Sequence, residues 1–252
     1  MKIKINNTPK ELGEEAAQFV SKLINKAIFE KGCARIALST GASQLDTLEA
    51  LIKTDVDWSR VEMFHLDEYV GLPETHKASF RKYLKEKFIS KVNLKAAYLV
   101  ENNADCIAPL TLEIKKAPID VGLIGIGENA HIAFNDPPAD FQTKESYIVV
   151  NLNDSCKRQQ VGEGWFATLD DVPAQAISMT VYQIMQCKSI VSCVPYAVKA
   201  KAVSETLENG LTNAIPATML KEHHDFTLFL DKDSAAELDR KSIIMINRGK
   251  MK

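Results

Sequence analysis

Three short polar clusters each follow an apolar run of the kind that forms a buried strand. They are residues 39–43 (STGAS), 65–69 (HLDEY) and 125–131 (GIGENAH). Hydroxyls beside a glycine suit anion binding, a carboxylate suits proton abstraction, and a histidine transfers protons near neutral pH. Ligands of open parallel sheets bind beyond the carboxyl ends of the strands. We therefore expect the three clusters to meet in one crevice.

The cluster at residues 39–43 has the chemistry of a phosphate loop. Gly41 permits a tight turn, and backbone N–H groups at the start of the following helix attract an anion. Thr40 and Ser43 would add hydroxyl donors. No Gly-Lys-Ser/Thr follows, so the segment is not a Walker loop. Taken alone, the segment fits better a plain strand-to-helix turn with Ser43 as the N-cap.

The cluster at residues 65–69 places two carboxylates in a predicted strand. Side chains alternate along a strand, so Asp67 and Glu68 should point to opposite faces. One of them can enter the crevice as a base while the other makes structural contacts. Partial burial would raise the pKa of such an aspartate and make it a stronger base. Taken alone, the segment fits slightly better a solvated acidic loop.

The third cluster centres on His131, with Asn129 two residues before it and Asp136 five residues after it. Asp136 can fix the tautomer of a proton-transferring histidine if the loop bends back, and a hydrogen-bonded structural histidine is the equally weighted alternative. Residues 125–130 also match the dinucleotide pattern G-x-G-x-x-A. The prolines at 137 and 138 and the lack of an acid ending the next strand exclude NAD.

Composition limits the classes of protein that the chain can belong to. It has 252 residues, 46% of them hydrophobic and 25% charged, with a net charge of −2, which is typical of a soluble globular protein. Nothing indicates nucleic acid or membrane binding. The five cysteines lack a CxxC spacing and the N-terminus lacks an apolar signal core, so we expect a cytoplasmic protein with reduced thiols. His223 and His224 are expected to be surface residues, and no metal site is predicted.

Strand-like and helix-like segments alternate along the chain. Apolar strands are predicted at KIKI, RIALST, VEMFHLDEY, DVGLIGIG, YIVVNL, AISMT, SIVSCVP and FTLFLD, and helices at residues 8–32, 41–53, 78–89, 197–210 and 233–238. This alternation predicts an α/β fold whose mainly parallel sheet is covered by helices on both faces. We find no repeat or flexible linker, so residues 1–252 are expected to form a single domain.

The motifs resemble those of the glucosamine-6-phosphate deaminase family, which shares a fold with 6-phosphogluconolactonases. STGAS, LDEYVGLPETHKASF, GIGENAHIAFNDP and PYAVKAKAV occur in the family's order and approximate spacing, from about residue 36 to about residue 231. The resemblance implies a Rossmann-like sheet of the deaminase/6-phosphogluconolactonase type. It also implies that an amino sugar phosphate and water become a ketose phosphate and ammonia, without an organic cofactor or metal. Family members form several assemblies, so a homo-oligomer is among the expectations.

By this resemblance, Asp67 is the base that moves a proton from C2 to C1. His131 assists ring opening, with Asp136 as its supporting acid. Phosphate would be bound by Thr40, Gly41, Ser43 and Lys199, and Arg158 is a further candidate for the anion site.

The chain departs from the family pattern immediately before the histidine. Asn129 and Ala130 stand where typical deaminases have aspartate and glycine. Asparagine can orient His131 by a hydrogen bond but cannot stabilise its cation by charge. An asparagine here also resembles the galactosamine-6-phosphate deaminase branch, so the sugar epimer stays open.

Two alternatives to a deaminase remain at this point. A 6-phosphogluconolactonase would typically carry arginine where this chain has Tyr69, and would not continue from the histidine with IAFNDP. A non-catalytic sugar-phosphate sensor would typically carry an added DNA-binding domain, which we do not expect here because the first predicted strand already lies at residues 2–5. Both comparisons favour the deaminase.

Overall fold

The central sheet is fully parallel and has seven strands. A computed structural model describes residues 1–239 of the protein. The strands of the sheet are β1 (Lys2–Asn6), β2 (Ala34–Leu38), β3 (Val61–His65), β5 (Ala96–Tyr98), β6 (Val121–Leu123), β9 (Ser189–Val194) and β10 (Phe226–Asp231). They lie in the order β1-β10-β9-β6-β2-β3-β5, and every neighbouring pair is parallel.

Helices cover both faces of this sheet, as the alternating pattern predicted. They are α1 (Pro9–Lys31), α2 (Leu45–Leu51), α3 (Phe80–Lys87), α4 (Ile107–Ile114), α5 (Asp154–Gly162), α6 (Val181–Ile184) and α7 (Ala200–Glu208). Within β2, Ile36 and Leu38 pack with α1, α2 and α3, whereas Ala37 packs with α4, α6 and α7. This alternation buries both faces of the strand. No helix among residues 1–239 is both long and apolar enough to cross a membrane.

The boundaries of the first helix follow from local chemistry. The Thr8 hydroxyl accepts a hydrogen bond from the Glu11 N–H at 3.1 Å, which satisfies one of the free donors of the first turn. Pro9 follows in the first turn, where its missing N–H costs nothing. The helix ends at Gly32, whose φ of 80° is a left-handed conformation that glycine adopts without strain. The predicted bounds of this helix are confirmed.

A second, antiparallel sheet differs from the prediction. It consists of β4 (Asp67–Tyr69), β8 (Gln175–Met179) and β7 (Tyr147–Asn151) in the order β4-β8-β7. The predicted strand VEMFHLDEY is therefore two strands in two sheets, with the chain changing sheets at Leu66. Periodicity cannot detect this change, because every residue from Met63 to Tyr69 is buried, whichever sheet it belongs to. A separate aromatic core around Tyr69, Phe134 and Phe166 packs beside the second sheet.

Three further local predictions were wrong. Residues 233–238 form turns instead of a helix, and the apolar run DVGLIGIG is a strand only at Val121–Leu123. His223 is buried instead of exposed. Its Nε2 lies 2.7 Å from the Cys187 carbonyl oxygen, and its Nδ1 accepts the Asp225 N–H. These two bonds give a buried imidazole the partners that it needs.

The strand order reverses its direction of growth at β2. The chain adds β3 on one side of β2 and, later, β6 on the other side. Between the carboxyl ends of such strands the following loops separate, and this is where open α/β sheets bind their ligands. The loops after β2 and β6 are residues 39–43 and 125–131, so two of the three predicted clusters lie at this switch point.

Candidate active site

The three clusters line one cavity of about 190 Å³. Each cluster follows a parallel strand, and the three strands are neighbours in the sheet in the order β6-β2-β3. The predicted convergence is therefore confirmed. Three glycines line the cavity, Gly41, Gly125 and Gly127. The polar side chains that line it are those of Ser39, Thr40, Ser43, Asp67, Glu128, His131, Gln159, Gln160, Glu163, Tyr196 and Lys199.

The loop after β2 is tied to the ends of its neighbouring strands. The Ser39 hydroxyl accepts the Gly125 N–H at 3.1 Å, and the buried Gln44 side chain donates to the Cys193 carbonyl at 3.1 Å. Gly41 has φ of 106°, which an L side chain rarely adopts. Ser43 accepts a hydrogen bond from the Gln44 side chain and caps no helix, so the N-cap interpretation was wrong. Its hydroxyl lines the cavity instead.

Asp67 is the buried carboxylate of the cavity. It is 6% exposed, and its side chain has no hydrogen bond to any of residues 1–239. Burial raises the pKa of Asp67 to about 8, and the nearby charge of Glu68 adds to the increase. Such a carboxylate accepts a proton readily near neutral pH.

Glu68 points to the opposite side and supports the structure. It is fully buried, and its carboxylate accepts hydrogen bonds from the Ser79 hydroxyl at 2.8 Å and the Arg81 N–H at 2.9 Å. The Arg81 guanidinium forms an ion pair with it at 3.3 Å. Ser79 is also the N-cap of α3. Glu68 thus joins the start of α3 to β4. The predicted placement of the adjacent carboxylates, one in the crevice and the other in structural contacts, is confirmed.

His131 is held by two side-chain oxygens on one nitrogen. Its Nδ1 lies 2.5 Å from Asn129 Oδ1 and 3.3 Å from Asp136 Oδ1. The Asn129 amide also donates to Asp136 Oδ1 at 3.1 Å. Two acceptors facing Nδ1 assign the hydrogen to that atom and leave Nε2 to exchange a proton with a ligand. His131 lines the cavity, whereas Asn129 and Asp136 lie behind it.

Opposing effects act on the Asp136 carboxyl. Burial raises its pKa, but hydrogen bonding to His131 and the His131 charge, with further hydrogen bonds from Asn129 and Cys156, lower it more, so the pKa of Asp136 lies below its usual range. Asp136 is therefore ionised at the near-neutral pH at which a histidine transfers protons. Ala130 lies between these groups with φ of 61°, the left-handed region in which glycine is preferred.

The two predicted cationic residues lie in different places. Lys199 is 7% exposed and lines the cavity, in the turn Ala197–Lys199 that follows β9. Burial lowers the pKa of Lys199, against the opposing charges of Glu163 and Glu128. Arg158 is exposed and lines a neighbouring groove with Asn129 and Ser155. The structure therefore brings Lys199, but not Arg158, together with the loop after β2.

Sequence reasoning missed one wall of the cavity. Gln159, Gln160 and Glu163 come from α5 and the residue that ends it. The segment follows β7 of the antiparallel sheet, so no rule for parallel sheets indicates that it borders the site. Its signal was weak, because glutamines and a glutamate on a short polar helix are typical of solvent-facing helices.

The raised pKa of Asp67 predicts an unusual dependence of stability on pH. Between pH about 4 and about 8 the unfolded chain loses the Asp67 proton while the folded chain keeps it, so the free energy of unfolding falls as pH rises. We expect Asp67→Asn to match the wild type at pH 4 and to exceed it by roughly 2 kcal/mol or more at pH 8. Urea unfolding across this range measures the difference. Parallel curves for the two proteins would contradict the buried, protonated state, and the exposed Asp55→Asn is the control.

A charge added at Asn129 should change the pH dependence of catalysis. In Asn129→Asp, two carboxylates face the His131 imidazole, which favours its protonated form. We expect the His131-dependent limb of the kcat/KM profile to move upward by roughly one pH unit. The exposed Asn93→Asp carries the same change of charge away from the cavity and should leave the profile in place. A superimposable profile for Asn129→Asp would show that this contact does not control protonation.

The fold and the cavity together define a class of α/β protein whose loops at a sheet switch point bring a buried carboxylate, a histidine and a lysine into one cavity. A family profile described as glucosamine-6-phosphate isomerases/6-phosphogluconolactonase matches residues 7–229. The chain belongs to this family, as its motifs predicted.

The similar proteins include both glucosamine-6-phosphate deaminases and 6-phosphogluconolactonases. The glucosamine-6-phosphate deaminase of Oenococcus oeni is 33% identical over 96% of this chain and 100% of its own length. That of a Thermoanaerobacter species is 34% identical over 94% of each chain. A solved monomeric glucosamine-6-phosphate deaminase, 28% identical, superimposes with a TM-score of 0.85 over 94% of this chain and 99% of its own. A solved 6-phosphogluconolactonase from Shewanella baltica is 17% identical and superimposes with a TM-score of 0.75 over 92% of this chain and 97% of its own. At this identity the likeness supports the fold alone.

Proposed function

We propose that this protein is an amino-sugar-phosphate deaminase that converts glucosamine 6-phosphate and water into fructose 6-phosphate and ammonia. The observation that carries this proposal is a buried, unpartnered Asp67 in the same cavity as the oriented imidazole of His131. The reaction needs both groups, one for a carbon-bound proton and one for an oxygen-bound proton.

Ring opening is the step assigned to His131. Its Nε2 takes the proton of the C1 hydroxyl and returns a proton to the ring oxygen as the bond between C1 and that oxygen breaks. Asp136 carries a negative charge beside the imidazole and stabilises the cation formed between these two transfers. The product is the open-chain aldehyde, whose carbonyl makes the C2 hydrogen acidic.

Proton transfer between carbons is the step assigned to Asp67. Its carboxylate removes the C2 proton, and a proton moves from the substrate ammonium to the oxygen on C1, which gives an enolamine. Asp67 then returns its proton to C1, which leaves an iminium at C2. Water adds to the iminium carbon, and the carbon–nitrogen bond breaks to release ammonia and the ketose. The carbons exchange only protons in these steps, so the chemistry calls for no electron acceptor. That the reaction uses neither cofactor nor metal stays a prediction.

The phosphate of the substrate is assigned to the loop after β2 and to Lys199. Thr40 and Ser43 supply hydroxyl donors, and Gly41 lets the backbone approach the anion closely. Lys199 supplies a positive charge from the turn after β9, the strand that neighbours β6 on the side away from β2. A buried ammonium without an ion pair is costly, so an anionic ligand would stabilise this arrangement.

The 6-phosphogluconolactonase alternative is less well supported. Tyr69, which occupies the position where lactonases typically carry arginine, is fully buried among Phe80, Phe134 and Phe166 and donates to Gln160 at 2.7 Å. It therefore contributes packing instead of a charge for a lactone. The curated relatives named above are deaminases, whereas the solved lactonases share the fold at low identity.

Several features of the proposal extend beyond the reaction. We propose that the chain acts as a single domain in the cytoplasm, without nucleic acid or membrane partners. The homo-oligomer expected from the resemblance stays a prediction, and one solved relative is described as monomeric. Size-exclusion chromatography with light scattering tests the assembly.

Product analysis tests the proposed function. The protein is incubated separately with glucosamine 6-phosphate, galactosamine 6-phosphate and 6-phosphogluconolactone. We expect ammonia from at least one amino sugar phosphate, and the faster one identifies the epimer. Enzymatic acid production from the lactone without ammonia from either sugar would support the lactonase. Tight binding of an amino sugar phosphate without any turnover would support the sensor.

A further inference from the structure

The cavity holds more acidic groups than a phosphate site requires. Glu128 and Glu163 line it in addition to Asp67, whereas Lys199 is the one lysine or arginine among the lining residues that the structure describes. Carboxylates beside a phosphate site repel the anion. Their presence calls for a positively charged group on the same ligand.

Glu163 is held in place at the end of α5. Its two carboxylate oxygens accept hydrogen bonds from the Gln159 amide at 2.7 Å and from the Trp165 indole N–H at 2.9 Å. The Gln159 side-chain oxygen in turn accepts the Glu128 N–H at 3.4 Å. This chain of contacts joins the α5 wall to the loop after β6. The two neutral donors orient Glu163 without neutralising its charge, so it can still attract a cation.

Two buried groups show that the cavity is built for a charged ligand. Lys199 is 7% exposed and Asp67 is 6% exposed, and neither side chain has a hydrogen bond or ion pair to residues 1–239. Buried polar groups normally have partners, so these two face ligand groups of their own. The charge of Glu163 acts to raise the pKa of Lys199 at one end of the cavity. It also raises the pKa values of Tyr69 and Cys156, two groups that the charge of Asp67 affects in the same direction. Glu163 therefore lies within range of both ends of the cavity.

We propose that Glu163 and Glu128 form the acceptor for the protonated amino group of the substrate and so select amino sugar phosphates over lactones and over sugar phosphates that lack the amine. This inference rests on the proposed function and deepens it, because it assigns the recognition of the group that the reaction removes. A sugar phosphate without the amine would meet the same two carboxylates with no compensating attraction. The selection thus combines attraction of one ligand with repulsion of the others.

Equilibrium binding of two stable probes tests the proposal. The probes are open-chain hexitol 6-phosphates that cannot react, one with an amino group at C2 and one with a hydroxyl there. Titration calorimetry at pH 7 gives the ratio of their Kd values for the wild type, Glu163→Gln and Glu128→Gln. Glu86→Gln removes the same charge from an exposed position on α3 outside the cavity and is the matched control.

The wild type and Glu86→Gln should bind the amino probe more tightly than the hydroxyl probe. We expect Glu163→Gln to reduce this preference by about fivefold, since a solvent-accessible ion pair is worth up to about 1 kcal/mol. Glu128→Gln should reduce it in the same direction. An unchanged preference, including equal tightening of both probes, would overturn the amine assignment while leaving the proposed function intact. Failure of the wild type to bind either probe would overturn both.

Discussion

Replacing Asp67 with asparagine is expected to lower kcat for ammonia release by about 10³-fold, with little change in KM. The asparagine amide has the size of the aspartate carboxyl group but cannot accept a proton near neutral pH. Asp67 has no hydrogen bond to residues 1–239 that the substitution could break, so the fold and the phosphate site should persist. Steady-state ammonia release measures kcat, and binding of the amino hexitol phosphate checks that the cavity is intact.

The exposed Asp55→Asn is the matched control for this loss. It makes the same chemical change outside the cavity, and full activity is expected. Turnover within about tenfold of the wild type in Asp67→Asn would contradict the base assignment, because removal of a general base costs about 10² to 10⁴ in rate. Loss of probe binding together with activity would instead indicate that Asp67 supports the phosphate site.

Replacing Gly127 with alanine should have the second-largest effect. A Cβ built at this position would lie 2.2–2.4 Å from three ring atoms of His131. Real Cβ atoms do not approach so closely, so the imidazole must leave its contacts with Asn129 and Asp136. We expect kcat/KM to fall by about 100-fold, the scale of a misplacement of roughly 1 Å.

Gly210→Ala is the control for Gly127→Ala. A Cβ there meets nothing within 4 Å, so the control should keep wild-type activity and stability. NMR of the histidine ring in both variants separates a displaced imidazole from general unfolding. Wild-type kcat/KM in Gly127→Ala would show that the position of the imidazole does not limit the reaction.

The parts of the site that follow parallel strands were predictable. A sheet of this class places the ends of β2, β3 and β6 together, so the STGAS, HLDEY and GENAH clusters could be expected in one crevice. Alternation along a strand also separated Asp67 from Glu68, and the structure confirms that separation. These inferences needed only the geometry of a strand and the topology of its sheet.

The parts contributed by the antiparallel sheet and its connections were not predictable in the same way. No local pattern shows that the chain changes sheets at Leu66, or that α5 borders the cavity. The charge of Arg158 made it a candidate for the anion site, but it lines only a neighbouring groove, whereas Gln160 lines the cavity and Gln159 lines both. The face that a short polar helix presents depends on tertiary packing, which its weak amphipathic pattern does not reveal.

Proton transfer from C2 of an amino sugar phosphate, carried out in the cavity around Asp67, is the step on which the proposed function depends. Turnover of glucosamine 6-phosphate deuterated at C2 measures it, with the product examined by NMR and mass spectrometry. We expect ammonia and fructose 6-phosphate, with the deuterium lost from C2 and divided between C1 and water. A product that keeps its C2 deuterium would show that no such transfer takes place.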